Sequence, residues 1–197
     1  MISKLKSKIP NLKSSQGFSL VELLAVLGVI VVVGSIASAI IISSLRTSSK
    51  ANVINSVRQN GNFALLQISR TVQYAKSFDG VSTDGTTFTN DCTSSGTTNY
   101  RAIRVVLFDE TKTTFSCKLS QTPPTITSLN SGTTTELVDT ITVSVSQCYF
   151  LCSQKYKTEA PAIGIFLTLS PNNGSSFPEK QSLIPFNTSV TMRNPNK

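Results

Sequence analysis

Between Phe18 and Leu45 the chain runs for 28 residues with a single charge, Glu22. As a helix rising 1.5 Å per residue this stretch is about 42 Å long, enough to cross the hydrocarbon core of a bilayer. It is too long and too uniformly apolar for the buried helix of a soluble domain. Residues 1–17 precede it with Lys4, Lys6, Lys8 and Lys13 and no acid. Arg46, Lys50 and Arg58 follow it, so the charge bias modestly favours an inside N-terminus and an outside C-terminus. Half of the net charge of +8 therefore lies in the leader. An ionised carboxylate inside lipid costs a few kcal/mol, which makes Glu22 a functional residue by default; the plainer reading is a headgroup-level side chain one turn inside the boundary. An ordinary secretory signal is the rival, with Ala37-Ser38-Ala39 as its cleavage pattern. The apolar run is already 19 residues by Ile36, longer than such signals use, and it contains Glu22.

Lys13-Ser-Ser-Gln-Gly17, then Phe18-Ser-Leu-Val-Glu22-Leu-Leu and a long apolar run, resembles the class III signal of type IV prepilins and type II secretion pseudopilins. Its elements are a basic leader, a Gly, an aromatic residue and a Glu four positions beyond it. The resemblance, which covers residues 1 to about 45, implies cutting after Gly17 by a prepilin peptidase and N-methylation at Phe18. A bulky residue would hinder attack at that bond, so Gly17 suits a peptidase at the membrane surface. The new amine at Phe18 would be cationic, and Glu22 of a neighbouring subunit is the candidate partner. Such a pair in low dielectric mainly offsets its own desolvation and reads as a register device.

The apolar residues beyond Leu45 become periodic. Ile54, Val57, Gly61, Ala64, Ile68, Val72 and Ala75 are spaced three or four apart, a helix stripe. No Pro interrupts residues 11–122, which predicts one helix from about Phe18 to Ser77, ended by Asp79-Gly80. A separate helix after a break at Ser43-Ser44 is the alternative. Gly61 and Ala64 are small enough to let a flat surface approach closely. Gly28 and Gly34 are the only weak points of the apolar part. Pilins share a long N-terminal helix whose second half packs on an antiparallel sheet, so the resemblance implies an α+β, pilin-like fold. The parts are then a leader over 1–17, an assembly helix over 18–45, its amphipathic continuation over 46–78 and a β-rich head over 79–197.

The remainder reads as strands over Ala102–Phe108, Thr113–Leu119, Leu137–Val145, Ile163–Leu169 and Ser189–Arg193. Pro123-Pro124, Asn130-Ser131-Gly132, Pro171-Asn172-Asn173-Gly174 and Phe177-Pro178 punctuate them. Residues 79–101 read as loop. Leu137-Val-Asp139-Thr-Ile and the ending Phe186–Asn194 are similar to strands of the J-type pseudopilins and W-type minor pilins.

Cys92, Cys117, Cys148 and Cys152 all lie beyond the span, and an even count there suggests two disulfides. Three connectivities exist; a local Cys148–Cys152 bridge with Cys92–Cys117 is favoured. A zinc site made of four cysteines needs two short-spaced pairs, and only one is present. The chain has no His, which removes His-dependent triads and His-ligated zinc. It has no P-loop, no G-x-S-x-G and no dinucleotide fingerprint, so no enzyme and no cofactor is expected. Asp79-Gly-Val-Ser-Thr-Asp84-Gly lacks EF-hand spacing and reads as turns. Without the leader the net charge is +4, which could assist DNA capture. The bases are scattered, however, with Arg101 and Arg104 near Tyr100 a thin exception, and a solvated surface is the default.

The expected function is that of a minor pilin or pseudopilin. Its expected partners are other such subunits, the prepilin peptidase, the inner-membrane assembly platform and, before assembly, lipid. It would be a single-pass membrane protein with a cytoplasmic leader and an extracytoplasmic head, later part of a filament. The alternative is a single-span anchored protein whose outer β-domain binds a ligand.

Overall fold

A computed structural model describes residues 17, 19–93, 98–172 and 182–193. The lysines of the leader, Phe18, the turns at Asn173-Gly174 and Phe177-Pro178, and Asn194 lie outside the described residues. The chain is α+β, with one long N-terminal helix followed by antiparallel sheets. It divides into two units, Met1–Thr47 and Ser48–Lys197. Helix α1 covers Leu20–Gln73 and passes through Ser43-Ser44 without a break.

In the first unit every described residue of α1 is exposed, and the most apolar 18-residue stretch has a mean hydropathy of 2.8. This helix is long and apolar enough to cross a membrane. Three of its hydroxyls are satisfied within the helix itself. Ser35 Oγ donates to Val32 O at 2.7 Å, and Ser38 Oγ to Gly34 O at 2.8 Å. Thr47 Oγ1 donates to Ser43 O at 3.0 Å. Hydroxyls bonded back to the preceding turn present no unpaired donor to a medium that cannot accept one.

In the second unit α1 supplies one side of the core. Val57, Gly61, Ala64, Ile68 and Val72 are buried, as the stripe predicts, and Ala75 just beyond the helix joins them. The sheet side comes from two antiparallel sheets. The first is β1 (Ser77–Ser82), β2 (Ala102–Val106), β3 (Lys112–Lys118), β4 (Thr125–Asn130) and β5 (Thr133–Glu136), in that order. The second is β6 (Val143–Ser153), β7 (Ala162–Pro171) and β8 (Ile184–Thr191). They are stitched along β6 by the reciprocal Tyr100 and Phe150 backbone bonds at 2.8 and 2.9 Å, and by Val145 N donating to Pro124 O at 3.2 Å. Phe115 and Phe150 are the largest fully buried side chains of the common core.

Gly61 is the point of closest approach. A Cβ added there would overlap the ring of Phe186 on β8, so the ring lies against bare helix backbone. Gly61→Val is expected to destabilise the protein by about 1–3 kcal/mol through overpacking, read as a lower unfolding midpoint of the full chain in detergent. Adding Phe186→Leu should restore part of the loss, since the two positions share one contact.

Four expectations need correction. The helix ends at Gln73, not Ser77, because sheet pairing takes over the backbone: Lys76 N donates to Val106 O at 2.8 Å. Asp79-Gly80 lies inside β1 rather than in a loop. Gly80 has φ +148°, and a Cβ there would come within 2.8 Å of the carbonyl oxygen of Thr89, which makes an isolated antiparallel bridge to Val81. The strand expected over Leu137–Val145 begins only at Val143. Asp139 diverts the chain before it: its carboxylate accepts Ile141 N at 3.1 Å and Thr142 Oγ1 at 2.9 Å, and its carbonyl accepts Val143 N at 2.9 Å. Side-chain bonds of this kind compete with a strand ladder. Finally, β4 and β5 form a Thr-rich hairpin turning at Ser131 (φ 49°) and Gly132 (φ 84°), where only the turn was expected.

Candidate functional site

At the head of α1, Leu23 N donates to Ser19 O at 3.1 Å, which makes Ser19 the residue that starts the helix. Glu22 then falls in the first turn. Ser-x-x-Glu at these positions is the sequence of a capping box, and a carboxylate there favours the helix dipole by about 0.3–1 kcal/mol. The Glu22 carboxylate makes no ion pair or hydrogen bond among the described residues and is exposed. Gly17 is exposed, outside the helix, and a Cβ there would meet nothing within 4 Å. Among the described residues nothing crowds a side chain at 17, so no demand for glycine there comes from them.

The four cysteines form two disulfides, Cys92–Cys152 and Cys117–Cys148. The favoured local pairing is corrected for a geometric reason. Cys148 and Cys152 both belong to β6, where four residues of extended chain span about 13 Å. Bridged cysteines need Cα atoms within about 7 Å. Both point inward because of a bulge. Val143 and Val145 are buried, the register then shifts between Val145 and Gln147, and Cys148, Phe150 and Cys152 are buried in the opposite phase. Ser146 is the extra residue that changes the phase.

The acidic segment after α1 is engaged within the protein. Asp79 pairs with Arg104 and, at 3.4 Å, with Lys112. Asp84 accepts bonds from Ser82 Oγ, Thr86 N, Thr86 Oγ1 and Thr87 N. The Thr86 hydroxyl, then Ser82 and the two backbone N–H groups, hold its carboxyl well below the usual range. Among the described residues no group of three or more His, Cys, Asp or Glu is placed to hold a metal ion. Arg101, Arg104 and Tyr100 do not make one patch. Tyr100 is buried against Phe150, and Arg104 lies 3.9 Å over the Phe88 ring as well as against Asp79. Arg101 stands apart and exposed.

One link was missed in the sequence. Asn60, in the middle of α1, donates through Nδ2 to Ser56 O at 3.0 Å and accepts Asp139 N through Oδ1 at 2.8 Å. A polar residue beside an otherwise apolar stripe was the available signal.

Comparison with protein-family models, with curated proteins and with solved structures gives no match.

Proposed function

We propose that the protein is a minor pilin or pseudopilin: an interaction subunit, not a catalyst, built into a filament through its N-terminal helix. The observation that carries this reading is the ordered string Gly17, Phe18 and Glu22 behind a basic leader and ahead of an exposed apolar helix. An open chain at Gly17 next to the helix start supports access by a peptidase. The stripe covered by antiparallel strands supports the pilin-like arrangement of helix and head. The leader would be cytoplasmic and the head extracytoplasmic, with the inner-membrane platform, lipid and other pilin subunits as successive partners.

N-terminal sequencing after co-expression with a prepilin peptidase tests the reading. The expected mature terminus is N-methylated Phe18. A terminus at Ile40, or an uncut Met1, overturns it. Gly17→Leu should leave full-length precursor while the head folds unchanged, since a side chain at 17 has open space around it.

A further inference from the structure

We propose that the outer face of the β6–β7–β8 sheet binds an acidic oligosaccharide. The face is wider than three strands. The antiparallel bridge of Tyr100 to Phe150 sets Arg101 beside Tyr149 and Asn99 beside Leu151. Tyr149 pairs with Phe166, and Phe166 with Asn187, so one row across the sheet reads cation, ring, ring, amide. The two rings stack with centroids 4.8 Å apart and planes 7° from parallel. The next row runs from Asn99 through Leu151 and Gly164 to Ser189.

Two open depressions flank the ring pair. One, of about 400 Å³, has an apolar floor at Leu151, Ala162 and Gly164 and a rim that includes Asn187 and Ser189. Its depth depends on Gly164: a Cβ there would come within 2.9 Å of the Phe166 ring. The other, of about 390 Å³, is bounded by Tyr149, Asn99, Gln147 and Arg101. Among the described residues no carboxylate lines either depression, and the Arg101 guanidinium makes no ion pair or hydrogen bond.

A sugar ring presents an apolar C–H face bordered by hydroxyls. An apolar floor with an amide and hydroxyl rim matches that surface. Across the ring pair, the free guanidinium in the other depression matches a carboxylate on an adjoining sugar residue, with planar two-point geometry. The ligand class is therefore a short oligosaccharide carrying a uronic acid. Single-stranded nucleic acid fits less well. Tracking a phosphate backbone needs a series of cations, and among the described residues only Arg101 lines the two depressions; each ring also already spends one face on the other.

The test is calorimetry on the full chain, in a detergent without a sugar headgroup, and does not depend on how the N-terminus is processed. The probes are a galacturonate trimer, its neutral methyl ester and a decathymidylate. The trimer should bind saturably and the ester more weakly. Arg101→Gln, an exposed change that breaks no internal contact, should weaken the trimer about tenfold, to the level of the ester. Asn187→Ala should weaken trimer and ester alike. No saturable trimer binding, or trimer binding unchanged in Arg101→Gln, overturns the proposal. Tighter binding of the decathymidylate also overturns it and reassigns the face to nucleic acid.

Discussion

Replacing Cys92 and Cys152 by Ser is expected to lower the unfolding free energy of the head by about 4 kcal/mol. The same holds for Cys117 and Cys148. The closed loops separate the cysteines by 60 and 31 positions, and loop-closure entropy for such lengths gives about 4 kcal/mol each. Domains keep only about 5–15 kcal/mol in total, so removing both bridges should leave the head largely unfolded at 37 °C. Both bonds end on β6, and each ties it to chain that precedes it: Cys117 in β3 and Cys92 between β1 and β2. Denaturant unfolding of each double-Ser variant beside the oxidised and reduced wild type measures the loss. Peptide mapping of the oxidised protein should recover the two cross-links named here. A Cys148–Cys152 peptide would contradict the inward, extended course of β6.

On the proposed reading as a pilin-like subunit, Glu22→Gln is expected to reduce co-purification with the other subunits while leaving membrane insertion, processing at Phe18 and both disulfides intact. Two roles for Glu22 are open to one residue in the first turn: helix capping with Ser19, and neutralising the amine of a neighbouring subunit. Gln serves a capping box nearly as well as Glu, but carries no charge. The Gln variant therefore separates the roles, where Glu22→Ala removes both. Failure of both variants to assemble supports the ion pair. If Gln assembles like wild type and Ala does not, capping or packing is the cause. The second unit, from Ser48 onward, holds its own core, so neither variant should alter its melting.

The buried helix stripe was legible because Val57, Gly61, Ala64, Ile68 and Val72 keep one period without a competing pattern. Strands β3 and β7 were legible from a period of two, and β2 as a run rich in β-branched residues. Strands β4 and β5 were not, since TITSLN and TTTE carry almost no apolar alternation, and Thr125 and Thr127 are buried where a Val would have announced a core. The course of β6 was hidden by its bulge. Val143 and Val145 alternate in one phase and Cys148, Phe150 and Cys152 in the other, so the string reads as an ending followed by a loop. The outer row of Arg101, Tyr149, Phe166 and Asn187 could not be read at all, because pairing assembles it from four distant segments. The Gly17-to-Glu22 string was legible as a local pattern, and its meaning rests on partners that lie outside this chain.

Neighbouring residues of the helix, Asn60 and Gly61, hold the head in different ways. Asn60 grips the backbone of Asp139 by a hydrogen bond, and Gly61 receives the flat of the Phe186 ring. Successive residues point about 100° apart around a helix axis, so the two grips act from different directions, like a key and its flat. A rotation of residues 54–72 about their own axis would have to break the bond and drive a side chain into the ring. Torque applied to this stretch of helix would therefore turn the head with it, as a splined shaft turns its hub.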